Sequence, residues 1–173
     1  MKRFVIAATV LAAVFGTVFA AEKTGFTDLK SKIAVGCLVT GNGASVRLWP
    51  TDNLGMEFSV GLRADTNLNS ISVPLSAQML FPILEKGNFA INVAPGIGFV
   101  YNQSSASTNG FTFSAGTDVM FEMALPLISE NLSIGSGIGA WFAVSSSSTR
   151  GNTTTGFNVN LITVNPVMVR YYF

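Results

Sequence analysis

"FAINVAPGIGFVYN", residues 89–102, alternates two kinds of side chain without a break. The odd positions carry Phe89, Ile91, Val93, Pro95, Ile97, Phe99 and Tyr101. The even positions carry Ala90, Asn92, Ala94, Gly96, Gly98, Val100 and Asn102. A period of two marks a strand, because successive side chains point to opposite faces. Its length decides the rest. A globular strand averages about 5–6 residues, whereas a strand that crosses a bilayer needs about 9–11 at a tilt near 45°.

The pattern recurs downstream in "FTFSAGTDVMFEMAL", residues 111–125, and in "LSIGSGIGAWFAV", residues 132–144. Polar and Gly/Pro clusters divide the chain into eight such strands, at about 32–40, 44–50, 54–63, 70–84, 88–102, 110–127, 132–145 and 156–173. The connections alternate in kind. "PTDN", "EKG" and "SEN" are tight turns, while "ADTNLN", "QSSASTN" and "SSSTRGNTTT" are longer and rich in Ser, Thr and Asn; the first, "GNG", is short. An even strand count with tight turns at one end and longer loops at the other predicts an all-β fold. It is an eight-stranded antiparallel up-and-down transmembrane β-barrel over residues 32–173, with turns on the periplasmic side and loops outside.

The polarity of the alternation separates this barrel from a soluble one. A lipocalin-type barrel turns its apolar side chains inward, but the small face here carries Gly, Ala, Asn and Ser, too little volume for an apolar core. The bulky face suits lipid. Aromatics gather near the strand ends, with Phe81, Tyr171 and Phe173 toward one rim and Phe99, Tyr101, Phe111 and Phe157 toward the other, as girdles do.

Composition agrees. Hydrophobic residues make up 49% of the chain, charged ones only 11%, and mean hydropathy is +0.47. After residue 20 no apolar run approaches the length of a helical span. "MKRFVIAATVLAAVFGTVFA", residues 1–20, has a charged start, an apolar run and small residues at Val18 and Ala20, so it is expected to be a cleavable signal peptide. Residues 21–31 then form a short periplasmic segment. Loss of Lys2 and Arg3 takes the formal charge from +1 to about −1, which does not favour nucleic acid. The lone Cys37 excludes an internal disulfide framework, and "AVGC" before it lies too far from the apolar run to be a lipobox.

The last strand brings in a resemblance. "VMVRYYF", with Val167, Val169, Tyr171 and Phe173 on one face, resembles the C-terminal signal by which the barrel-assembly machinery recognises bacterial outer-membrane proteins. The hairpin "ASVRLWPTDNLGMEFSVGL", residues 44–62, is similar to an early hairpin of small outer-membrane barrels of the OmpA/OmpX type. The resemblance spans about residues 32–173 and implies a bacterial outer-membrane location with both termini in the periplasm. Its partners would be outer-membrane lipid and, during biogenesis, the assembly machinery. The chain departs from the OmpA arrangement by ending at the barrel, so a cell-wall tether does not carry over.

An eight-stranded barrel has an interior that side chains can fill. Strand parity points Arg47, Arg63 and Arg170 inward together with Glu57, Asp118 and Glu122, a balanced charge network. The turn centred on Asp52 sets Arg47 across from Glu57. Such a network reads first as a structural plug; an ion path or a catalytic site are the alternatives.

Enzyme chemistry finds little to work with. Histidine is absent, which removes His-dependent triads and histidine metal ligands. Asp118 and Glu122 share a face but stand roughly 13 Å apart along a strand, against about 5–9.5 Å for a hydrolytic pair. The glycines of "GSGIGA" match neither a dinucleotide fingerprint nor a P-loop, and on the small face they make room for larger neighbours. No cofactor or metal is expected, and a monomer is. The leading expectation is a non-enzymatic barrel serving envelope structure or surface contact through its polar loops. A narrow channel or apolar-ligand conduit, resembling OmpW-type barrels, is the alternative, and a lipid-modifying outer-membrane enzyme the third.

Overall fold

The computed structural model describes residues 26–30, 33–39, 43–65, 70–104, 108–149 and 151–173. The expected signal peptide, most of the segment after it, and the chain at 40–42, 66–69, 105–107 and 150 lie outside the described residues. Among the described residues one helical turn, α1 (Phe26–Leu29), precedes nine strands: β1 (Ala34–Leu38), β2 (Gly43–Thr51), β3 (Leu54–Gly61), β4 (Arg63–Asp65), β5 (Ser70–Lys86), β6 (Phe89–Ser104), β7 (Thr108–Ala124), β8 (Leu132–Thr149) and β9 (Asn152–Tyr172).

All nine belong to one antiparallel sheet, and its ends meet. Apart from β3 and β4, which do not pair with each other, each strand pairs with the next in sequence; β1 pairs with β9 from Ala34↔Tyr172 to Leu38↔Met168, and β3 pairs with β5 from Gly55↔Leu80 to Val60↔Leu75. The sheet is therefore a closed ring. Eight strands were expected and nine are present because the third is interrupted at Leu62. β3 and β4 lie end to end against β5.

The alternation lands as the side-chain period requires. Outward-facing Phe58, Ile97, Phe113, Ile138 and Phe142 are all exposed, whereas inward-facing Arg47, Glu57, Asn92, Asp118 and Glu122 are buried. Along β7 the outward apolar stretch from Phe111 to Phe121 is about 33 Å at ~3.3 Å per residue. Register shifts between Pro82 and Leu84 in β5 and opposite Gly135/Gly137 in β9 take up Pro82 and Pro166, which have no N–H for a regular ladder.

Three boundaries differ from the sequence expectation, each for a physical reason. The polar segment at about 145–156 was expected as a long loop, yet β8 and β9 pair all the way from Ser145↔Gly156 to Thr149↔Asn152. Gly151, at φ 86°, makes the turn. Serine and β-branched threonine extend readily in a strand, so here polarity marks an exposed strand rather than a loop. The same holds at Ser104↔Thr108, where "QSSASTN" shrinks to three connecting residues. Conversely β7 stops at Ala124, ahead of Pro126, and the turn to β8 is held by Leu125 N to Leu132 O at 2.8 Å and Ser129 N to Leu125 O at 3.0 Å.

The turn end of the ring is stoppered. Phe26 and Leu29 of α1 pack with Ala34, Ala90, Ala124 and Tyr172 in a buried cluster, and the rings of Phe26 and Tyr172 meet edge to face at 6.4 Å. Phe26 N donates to Gly87 O at 2.9 Å. Lys30, buried beside them, donates to Asp52 O at 2.5 Å, pairs with Glu85, and lies 4.9 Å over the ring of Trp49. Phe26, Leu29 and Lys30, from the segment 21–31 expected to precede the barrel, thus form part of the floor of the ring.

Candidate functional site

Above that floor four charged side chains meet inside the ring. β2 supplies Arg47, β3 supplies Glu57 directly across from it in register, β7 supplies Glu122 and β9 supplies Arg170. Each is at most 2% exposed. Arg47 donates to Glu57 Oε2 from Nε at 2.9 Å and from Nη2 at 2.5 Å, and from Nη1 to Glu122 Oε2. Arg170 Nη2 donates to Glu57 Oε1 at 2.9 Å and Oε2 at 3.1 Å. Arg170 Nη1 stands 3.5 Å from Glu122 Oε1, an ion-pair distance without hydrogen-bond geometry. The four charges alternate in sign around a closed circuit.

Two neutral groups complete it. Ser133 Oγ donates to Glu122 Oε1 at 2.5 Å and Tyr172 OH to the same oxygen at 2.8 Å. Bringing isolated ions into such an interior costs several kcal/mol each, and only close pairing with the remaining hydrogen-bond sites filled offsets it. Glu122 gathers three donors and Glu57 two guanidinium groups, so the carboxylates meet that condition.

The glycines on the inner face make this possible. A Cβ on Gly135 would stand 3.0 Å from Arg170 Nη1 and 2.9 Å from Phe121 O; one on Gly36 would stand 3.0 Å from Arg170 Cγ. Higher in the ring, the indole of Trp141 lies over Gly116, where a Cβ would come within 2.7 Å of Cδ2. The small face is small because arginine and tryptophan side chains occupy the space beside it.

Of the six charges expected inward, the structure brings Arg47, Glu57, Glu122 and Arg170 together and leaves two apart. Asp118 is buried, but its partners are Gln78 Nε2 at 2.5 Å and Trp141 Nε1 at 2.8 Å. Arg63 lies in β4 beyond the break at Leu62. It is exposed and makes no hydrogen bond or ion pair among the described residues. Parity placed it on the inner face; the height of the ring separates it from the circuit.

At the last strand, Tyr171 and Phe173 face outward with their rings 5.0 Å apart, Val169 pairs with Cys37, Val167 O accepts from Val39 N at 2.8 Å, and Phe173 N donates to Ile33 O at 2.9 Å. Tyr172, between the two outward aromatics, was not singled out by sequence. Its signal was available, since it shares a face with Arg170 two residues away. Ser133, Gln78 and Trp141 carried no comparable signal.

Comparison with protein-family models, with curated proteins and with solved structures finds no match to this chain.

Proposed function

We propose that the chain is an integral β-barrel of a bacterial outer membrane, a non-enzymatic protein that serves envelope structure or surface contact. One observation carries the reading: the ring is inside out relative to a soluble protein. Its buried side chains include Arg47, Glu57, Asp118, Glu122 and Arg170, while Phe58, Ile97, Phe113, Ile138, Phe142, Phe157 and Val164 stand exposed around its outside. An apolar belt this continuous is far beyond the patch a soluble monomer exposes. Tilted by ~40°, the 33 Å from Phe111 to Phe121 rises about 25 Å, the height of the lipid-facing band of an outer-membrane barrel.

On this reading residues 1–20 direct export, Val167, Val169, Tyr171 and Phe173 serve the assembly machinery, and the barrel works as a monomer. The strand ends at Ser104↔Thr108 and Thr149↔Asn152 lie on the outer side, and the tight turns with α1 on the periplasmic side. The floor formed by α1 and the ion circuit above it favour a closed barrel over a channel. Membrane fractionation with gel mobility of boiled and unboiled protein tests the assignment. Outer-membrane recovery with a heat-dependent shift supports it; soluble recovery with one mobility contradicts it.

A further inference from the structure

Above the ion circuit the ring holds a cavity of about 180 Å³. Leu38, Pro74, Met120, Pro166 and Met168 give it an apolar lining, and Trp141 gives it an aromatic wall. That wall is fixed. The indole lies against Gly116, where a Cβ would come within 2.7 Å of Cδ2, and its Nε1 donates to Asp118 Oδ1 at 2.8 Å. Gln78, also on the lining, is held in the same way. Its stem crosses Gly96, where a Cβ would come within 2.6 Å of Cγ, and its Nε2 donates to Asp118 Oδ2 at 2.5 Å. A carboxylate only accepts, so the amide is turned with its nitrogen on Asp118. Its oxygen, Oε1, is left with no donor among the described residues.

The rest of the lining has little left to offer a polar guest. Ser59 and Ser76 share a hydrogen bond at 2.5 Å, and Ser136 Oγ donates to Asn165 O at 2.8 Å. Arg63 and Asp118 are opposite charges on the one lining, and Arg170 belongs to the balanced circuit below, so the described charges suit a neutral guest. A sugar would bring several hydroxyl groups here, and each one left unpaired costs free energy. A hydrocarbon would leave Gln78 Oε1 dry and unpaired, at a similar cost. The chemistry between these extremes is one ring with one donor. The volume agrees, since a cavity of about 150 Å³ holds benzene.

We infer that the cavity is a binding site for a neutral phenol with a single ring. The hydroxyl of the guest donates to Gln78 Oε1, its ring packs against the Trp141 indole, and Met120 closes the apolar side beside the ring. The cavity reaches solvent at the end away from the circuit, where Arg63 is exposed. It lies inside the ring, so the inference holds whether the outside meets lipid or water.

Calorimetric titration of the full chain in non-ionic micelles at neutral pH tests this, with 4-methylphenol, toluene, benzoate and glucose as probes and protein-free micelles as the blank. A phenol keeps its proton there, since its pKa is about 10 as in tyrosine. 4-Methylphenol should bind one site, about tenfold more tightly than toluene, the worth of one hydrogen bond, and at least as far above benzoate and glucose. Nuclear Overhauser contacts in the wild-type complex should join its methyl group to Trp141 and Met120. Gln78→Met should bring 4-methylphenol and toluene to equal affinity, and Ser76→Phe, which fills the cavity from its lining, should weaken both at least about tenfold. Toluene binding as tightly as 4-methylphenol to the wild type, or benzoate or glucose binding more tightly, overturns the assignment of the guest. No saturable binding of any probe, or contacts that leave out Trp141, overturns the site.

Discussion

Arg47 and Glu57 face each other across the β2–β3 hairpin, and two nitrogens of the guanidinium reach a single carboxylate oxygen, at 2.9 and 2.5 Å. Glu57 is at the same time the acceptor for Arg170 from the far end of the chain. One carboxylate therefore ties the first hairpin to the closing strand, at the seam where β1 and β9 complete the ring.

Glu57→Ala leaves two buried guanidinium groups short of a counter-ion. It should destabilise the protein by about 3–5 kcal/mol, the cost of breaking a buried pair from one side. Replacing Arg47 and Glu57 together with neutral partners should cost less than the two single changes combined, with a coupling of ~0.5–3 kcal/mol. Denaturant titration of refolded protein measures both. Additive costs would show that the pair is not coupled. Planar-bilayer recording of Glu57→Ala should show no large pore, because α1 and the remaining charges still fill the lumen.

The floor can be removed separately. Phe26→Ala deletes a ring packed on Tyr172 and should cost about 3–5 kcal/mol, in the range for a buried aromatic. Lys30 sits over the Trp49 ring, so loosening α1 should also shift the fluorescence of Trp49. Wild-type stability and spectrum in Phe26→Ala would mean that α1 is not seated as described.

The β8–β9 hairpin gives a third expectation. Amides that bond across Ser145–Thr149 and Asn152–Gly156 should exchange slowly with solvent, as a paired ladder does and a loop does not. Gly151 has a left-handed φ, so Gly151→Val should disturb the turn locally while leaving the midpoint of global unfolding in place. Rapid exchange throughout 145–156 would restore the loop expected from composition.

Much of this was legible from one-letter patterns, and the misses have common causes. The period of two puts Arg47, Glu57, Asp118, Glu122 and Arg170 on one kind of face, and all five are buried, because one face of a strand is one side of the wall. Parity carries no information about height. Asp118 stands about 13 Å along the strand from Glu122, and so finds Gln78 and Trp141 instead of an arginine. Arg63 is separated from the circuit in the same way. The floor was illegible because α1 is a single turn, too short for any helical period to register. Tyr172 was hidden by Tyr171 and Phe173, whose outward pattern drew the reading of the last strand.

The central proposal is that the outside of the ring lies in lipid, and the one cysteine reports on it directly. Cys37 is exposed, faces outward on β1 and pairs with Val169. A nitroxide attached there, in protein reconstituted into bilayers, can be probed by its collisions with oxygen, which concentrates in lipid, and with a water-soluble nickel chelate, which is excluded from it. The account predicts frequent oxygen collisions and few nickel collisions. Ready access of the nickel chelate to Cys37, with oxygen collisions no higher than in buffer, would contradict it.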